Sequence, residues 1–533
     1  MPGRTWYVVR RTLYAGSVND ERRSPCIIPS GMRVYCAIAI VLFSVRLFGA
    51  TPSVGRITAD EVRLSGDSPF PAACNGQQQG VNYRGAEVEP WVAADPTNSL
   101  HLIGAWQQDR WSNGGASGLL TGVSFDGGRT WATTSAHFSR CTGGTFERAT
   151  DPWTTFSPDG TAYQIAYSFN NSNAIQAMLV ARSSDGGLSW SEPLALIRDT
   201  ASGVADDKES ITADPYDARY VYAVWDRLAG SSARPSQLRG PTWFARTTDA
   251  GATWEAARII YDPGSNAQTI GNQIVVLPDG TVLNVFTLIQ NASAPNLRDE
   301  KIFVAIMRST DKGATWSDAA MVSTNQTIGI ADVKTGAPVR TGDILPSVAV
   351  DPKSGAIYVV WQDARFSGQA RDGIAFSRSL DGGMTWSQPV QVNRVPDVQA
   401  FVPAIAVGGN GAIAVTYYDF RNDTADPSIL LTNYWRVTSE DGGASWREVG
   451  LAGPFDLVGA PNAEGYFLGD YEGLVWSGDS FLSFFVAANS GNTQNRTDVF
   501  ATAKGTDVAL SGNRHVEVNT VPGRRRTRLV IAP

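Results

Sequence analysis

Histidine is scarce in this chain. There are three in 533 residues, His101, His137 and His515, too few for a His-rich metal centre. Cysteine is nearly as rare, at four, and no CxxC pair occurs. Helix signals are poor, and no long run repeats with a 3.6-residue period. Long apolar runs are missing too. The one membrane-type stretch, Val34 to Val45, has 12 residues, whereas a bilayer span needs about 20. It has the length of a signal-peptide core, with Arg33 before it and the small residues Gly49 and Ala50 after it. Export is therefore expected, to a secreted, periplasmic or extracellular location. An uncleaved anchor is the alternative, and the one route to a membrane.

Acidic residues are short only at the start. Residues 1–50 carry seven Arg and two acids, a net of +5; the whole chain is −7, which leaves −12 for residues 51–533. That balance argues against a nucleic-acid partner. Cys26 and Cys36 fall in the leader, which leaves Cys74 and Cys141. An even pair in an exported chain predicts one disulfide, with two unrelated thiols as the alternative. No metal or cofactor is implied, although Ca²⁺ on acidic loops is left open.

What is abundant is tryptophan, 16 residues, and glycine, 53. Tryptophan favours a β-rich fold, because aromatics suit pleated surfaces. Much of both sits in one octet. "SFDGGRTW" (Ser124 to Trp131) returns as "SSDGGLSW", "TTDAGATW", "STDKGATW", "SLDGGMTW" and "SEDGGASW". Its Asp positions are Asp126, Asp185, Asp249, Asp311, Asp381 and Asp441, at intervals of 59, 64, 62, 70 and 60 residues. A period near sixty with about four short strand patterns fits a propeller blade. Within the octet the residue after Asp varies, whereas the next is always Gly. Only that second position should require a left-handed backbone. The Asp can accept from backbone N–H groups, and the Trp can wedge between sheets. The octet therefore reads as scaffold.

The pattern S-x-D-x-G-x-[ST]-W resembles the Asp-box, or BNR repeat, of the sialidase-like propeller superfamily, over roughly residues 85–505. The resemblance implies that each box joins the third and fourth strands of a blade, away from the active site. It also implies an exo-sialidase-like hydrolase: three Arg for a sugar carboxylate, an Asp acid/base and a Tyr nucleophile activated by Glu. "GDYEGL" is similar to the late-blade Tyr motif and supplies Tyr471 with Glu472. Elsewhere the pattern departs. Val88 stands where the early Arg of an Arg-Ile-Pro motif would be, and Gly271 and Phe286 stand where a Glu and a second Arg would be.

Turns counted independently of the octets mark seven strand-pair units. We expect an all-β propeller of four-stranded antiparallel blades, seven in preference to six, closed by an N-terminal strand within Ala59 to Gly66. The expected layout is a leader at 1–50, a lead-in at 51–84, the propeller at 85–505 and a tail at 506–533. That tail carries the basic run "GRRRTR".

Second strands end alike at Asp109/Arg110, Asp226/Arg227, Asp363/Arg365 and Asp419/Arg421. First strands begin with Glu89, Asp151, Glu209, Asp343 and Asp470. One rim should therefore gather polar groups for a glycan, with Trp106, Trp111, Trp153, Trp225 and Trp361 available for stacking. The equal alternative is that the Asp–Arg pairs are salt bridges. For catalysis the candidates are Tyr471, Glu472 and Asp151; for substrate binding, Arg84, Arg110, Arg227, Arg365, Arg421, Glu89 and Glu209. Three functions stand open: a sialidase-like glycosidase, another glycosidase using two carboxylates, and a non-catalytic glycan- or protein-binding propeller.

Overall fold

The computed structural model describes residues 61–231, 234–292 and 300–502. The expected leader, Cys26, Cys36 and the run "GRRRTR" lie outside them. The fold is all-β and built from antiparallel sheets. Its repeating unit is a four-stranded meander, as in Ala400–Val407, Ile413–Asp419, Leu431–Ser439 and Arg447–Asp456. Each octet joins the third and fourth strands of its unit. In the first unit it connects Ala116–Ser124 to Ala132–Thr134.

The octet's bonding explains its composition. Asp126 Oδ1 accepts from the Thr130 backbone N–H at 2.9 Å, and Asp126 Oδ2 from its hydroxyl at 2.6 Å. Ser124 Oγ accepts from the Gly128 N–H at 2.9 Å. Asp185, Asp249, Asp311, Asp381 and Asp441 each accept from the equivalent Ser or Thr in the same way. These bonds hold the Asp441 carboxyl well below the usual range, its hydrogen bond from Ser445 first among them.

One expectation is corrected. The first position after Asp is left-handed as well, with φ 57° at Ala250 and 58° at Lys312. What makes the second position glycine is packing. A Cβ on Gly187 would lie 2.7 Å from Ile103 of the preceding unit, and one on Gly128 would lie 2.9 Å from Leu482 of the last unit. The octet Trp does wedge: Trp446 meets Phe376 of the preceding unit at 5.2 Å between centroids, and Trp131 meets Phe484 of the last unit at 5.7 Å.

The last meander, Gly473–Ser477, Ser480–Ala488 and Thr497–Thr502, has no octet. Its fourth strand is Glu61–Arg63, which pairs antiparallel with Phe500–Thr502. The head of the described chain thus covers the edge that its tail would expose.

Cys74 and Cys141 form the expected disulfide, with Cα atoms 5.2 Å apart and a sequence separation of 67. It ties the lead-in to the first unit. A loop of that length makes the bond worth roughly 2–4 kcal/mol, mostly through the unfolded chain. The C74S/C141S variant is expected to unfold at correspondingly lower denaturant, and an unchanged midpoint would refute this.

Candidate functional site

The first strand of several units carries a bulge at one shared place. Register shifts fall between Val88 and Trp91, Thr150 and Trp153, Asp207 and Ser210, Ile270 and Gln273, and Phe401 and Ala404. At each bulge one residue is left-handed: Glu89 (φ 54°), Asp151 (52°), Lys208 (48°), Gly271 (68°) and Val402 (49°). For side chains other than glycine this conformation costs of order 1–3 kcal/mol, and it persists only where the surroundings fix it. Such bulges aim side chains, often into functional sites.

Three of these bulge residues meet. Lys208 Nζ lies 2.8 Å from Glu89 Oε1, 2.5 Å from Asp151 Oδ1 and 2.8 Å from Asp470 Oδ2, all buried. Arg340 grips Asp470 from the other side, Nε to Oδ1 at 3.1 Å and Nη2 to Oδ2 at 2.5 Å. Burial alone would raise the Asp470 carboxyl, but Arg340 and Lys208 overcome it and hold Asp470 well below the usual range. Burial opposes the charge of Lys208 too, yet Asp151, Asp470 and Glu89 raise its ammonium well above an ordinary lysine. Acids outnumber cations here. Burial, with Asp151 adding to it, pushes Glu89 up to about 8 and Glu209 well above its usual value.

A recess opens beside this cluster, lined by Trp91, Trp153, Glu209, Asp470, Tyr471 and Glu472 among others. Trp91 and Trp153 stack with centroids 3.4 Å apart, and Tyr471 meets Trp153 edge-on at 5.4 Å. Glu209 Oε1 accepts from the Tyr167 backbone N–H. Its Oε2, and Oε2 of Glu472, have no hydrogen-bond partner among the described residues. The recess thus offers an aromatic wall, one carboxyl that Arg340 and Lys208 hold below its usual range and two that burial raises above theirs. Carboxyl groups pushed apart in this way suit paired acid and base roles. Among the described residues no group of three His, Cys, Asp or Glu is set to hold a metal.

Glu89, Asp151, Glu209, Tyr471 and Glu472 are therefore brought together, but not in the expected relation. Glu472 binds the Tyr418 hydroxyl at 2.7 Å, not that of Tyr471. Burial, together with Asp151 and Glu89, pushes the Tyr471 phenol well above its usual value. The two residues precede the strand Gly473–Ser477 and take different partners, Tyr418 for Glu472 and the Pro152 carbonyl for Tyr471.

The rim arginines do not converge on Tyr471. Arg227 pairs with Asp199 at 2.6 Å and Asp206 at 3.1 Å; Arg365 pairs with Asp363 at 2.7 Å. Arg421 pairs with Asp419 and Glu448, both at 2.6 Å. Arg110 is buried, bonded to Gln107 at 2.7 Å and 5.0 Å from the Phe467 centroid. Of the four expected pairs, Asp363/Arg365 and Asp419/Arg421 are salt bridges, whereas Arg227 bridges to Asp199 and Asp206 in place of Asp226, and Arg110 makes no bridge to Asp109. Arg84 lies in a different recess, beside the disulfide, with Nη2 donating to the Phe70 carbonyl at 2.8 Å. Trp106, Trp225 and Trp361 are fully buried, so of the expected stacking residues only Trp153 lines the axial recess.

Lys208, Arg340 and the ionised role of Asp470 were missed. A signal existed for Lys208. Aligning the first strands puts Glu89-Pro90-Trp91, Asp151-Pro152-Trp153, Lys208-Glu209-Ser210 and Val402-Pro403-Ala404 in register. That alignment marks Lys208 as the cation among acids.

The sequence pattern of the BNR repeat-like domain family matches residues 241–532, more than half of the chain. The chain belongs to that family. This agrees with the sialidase-like resemblance of its octets. No curated protein matches the chain. Solved structures resemble this BNR-repeat protein in fold alone. A Hadza microbial sialidase is 16% identical over 76% of this chain and 73% of its own, with a TM-score of 0.43. The α-L-arabinanase of Penicillium chrysogenum, complexed with arabinobiose, is 14% identical over 67% and 93%, with a TM-score of 0.41. The intramolecular trans-sialidase of Ruminococcus gnavus, in complex with oseltamivir carboxylate, is 12% identical over 82% and 97%, with a TM-score of 0.39.

Proposed function

We propose that this BNR-repeat protein is a glycoside hydrolase that works with two carboxyl groups in the axial recess. One observation carries the reading: Asp470 and Glu209 line the same recess with their acidities pushed in opposite directions. Glu209, protonated, would donate to the departing glycosidic oxygen. Asp470, ionised, would serve the anomeric carbon directly or through water. Trp91 and Trp153 would take the apolar face of the sugar ring. A neutral terminal sugar suits this acid-rich recess better than sialic acid, since Arg227, Arg365 and Arg421 are engaged elsewhere. A closed ring of seven blades is part of the same proposal, supported by the contact of Gly128 with Leu482. So is export with glycans as partners, supported by the Cys74–Cys141 disulfide.

The purified chain should be assayed on a panel of aryl glycosides that includes a sialoside. Tyr471→Phe is expected to keep kcat within about threefold, because a neutral phenol is not the nucleophile. Turnover of the sialoside that Tyr471→Phe abolishes would instead establish the Tyr mechanism. No turnover on any glycoside would leave the non-catalytic binding role.

A further inference from the structure

The axial recess does not account for the second one, beside the disulfide. This recess has a volume of about 240 Å³. It lies beyond the strand Leu102–Arg110, and Cys74, Asn75, Asn82, Arg84, Trp111 and Ser117 are among its walls. The chain is acidic overall and the axial recess holds three carboxyl groups, yet no Asp or Glu lines this one.

Its walls are built rather than incidental. The disulfide pins the 71–84 segment to the first unit. The fully buried Arg148 clamps the same segment, donating to Gln78 Oε1 at 2.6 Å and the Gln79 carbonyl at 2.9 Å. It also donates to Asn113 Oδ1 and the Gly114 carbonyl, and its guanidinium stacks 4.2 Å from the centre of the Trp111 ring. Against this rigid frame two donors are unused. Asn75 Nδ2 and Trp111 Nε1 have no hydrogen-bond partner among the described residues, although the residues are only 3% and 8% exposed. Buried donors left without acceptors are costly, so the recess favours whatever supplies acceptors. Arg84, on the same wall, adds a guanidinium that spends one donor on Phe70.

We infer that this recess binds a carboxylate-bearing saccharide. Donors without a competing acid select an oxyanion, as guanidinium and N–H groups do elsewhere. At about 240 Å³ the recess far exceeds a bare carboxylate. Gln77 lines the same walls, as do Asn82 and Ser117, although the Asn82 amide already donates to Ser117 at 3.2 Å and to the Asp109 carbonyl at 2.9 Å. The inference is independent of the catalytic reading of the axial recess.

The test is calorimetric titration of the full chain with galacturonate, galactose and acetate. Galacturonate is expected to bind, and galactose and acetate at least tenfold more weakly. Trp111→Phe removes the N–H and keeps a ring for Arg148 to stack on. It and Arg84→Gln should each weaken galacturonate about tenfold, the scale of one hydrogen bond to a charged group. Binding should persist in Asp470→Asn. Thermal unfolding of both variants at the wild-type midpoint shows that the frame is intact. Galacturonate that fails to bind, or binding lost in Asp470→Asn and kept in Trp111→Phe, overturns the inference. Acetate binding as tightly as galacturonate also overturns it, because the site would then be one for a bare anion.

Discussion

Asp470→Asn is expected to lower kcat for glycoside hydrolysis by about 10³-fold or more, with KM little changed, since general base or nucleophilic help acts on the transition state. Glu209→Gln should cost a similar factor on substrates with poor leaving groups. It should cost much less on a dinitrophenyl glycoside, whose departing oxygen needs no proton. That split separates the acid from the base. The pH profile follows from the directions of the two shifts. Glu209 works protonated and its carboxyl is raised, so activity extends above the ordinary glutamate range and falls as pH rises through that raised value. Asp470 works ionised and its carboxyl is depressed, so the acid limb lies below the ordinary aspartate range. The alkaline limb should vanish in Glu209→Gln. If Asp470→Asn turns over like the wild type while unfolding at the same midpoint, the carboxyl-pair mechanism is wrong.

Lys208→Met is expected to destabilise the fold by roughly 3–5 kcal/mol, because it strands Glu89, Asp151 and Asp470 without their shared ammonium. The defect should depend on pH. In the wild type, the raised ammonium of Lys208 contributes stability that is complete below its unfolded value near 10.4 and is lost as pH rises through its folded value. Glu89, raised to about 8, stabilises below its unfolded value of 4.5, and that contribution fades as pH rises toward 8. Without Lys208, Glu89 must take up a proton to stay buried, while Asp470 keeps Arg340. The variant should therefore lose less stability at pH 5 than at pH 8 in denaturant titrations. An equal loss at both values would mean that packing, rather than charge, is the role of Lys208.

How much of this was legible depended on how local the chemistry was. The octet spells out its own hydrogen bonds within eight residues, so its scaffold role, its place between third and fourth strands and the closing strand at the chain's head could all be read. Tyr471, Glu89, Asp151 and Glu209 could be placed near one another because strand starts were marked by their turns. What could not be read was partnership. Lys208 and Glu89 are 119 residues apart, and Arg340 and Asp470 are 130 apart. Only the bulge register and the packing of one unit on the next bring them together. The Asp–Arg pairs misled for a related reason: a repeated pair marks a repeated place, and here that place is a bridge within the scaffold, as in Arg421 with Asp419 and Glu448.

The strand at Glu61–Arg63 bears on the order of assembly. Its neighbour Ser65 donates to Asp498 and accepts from Val499, 433 and 434 residues away. During synthesis the head of the chain must therefore wait, unpaired, until nearly everything else has been made. Contacts of such sequence separation form slowly. Until then the edge of Thr497–Thr502 stays uncovered, and the pairing of Glu61–Arg63 is the late step that covers it. A helper that shields strand edges would have its greatest effect during that interval.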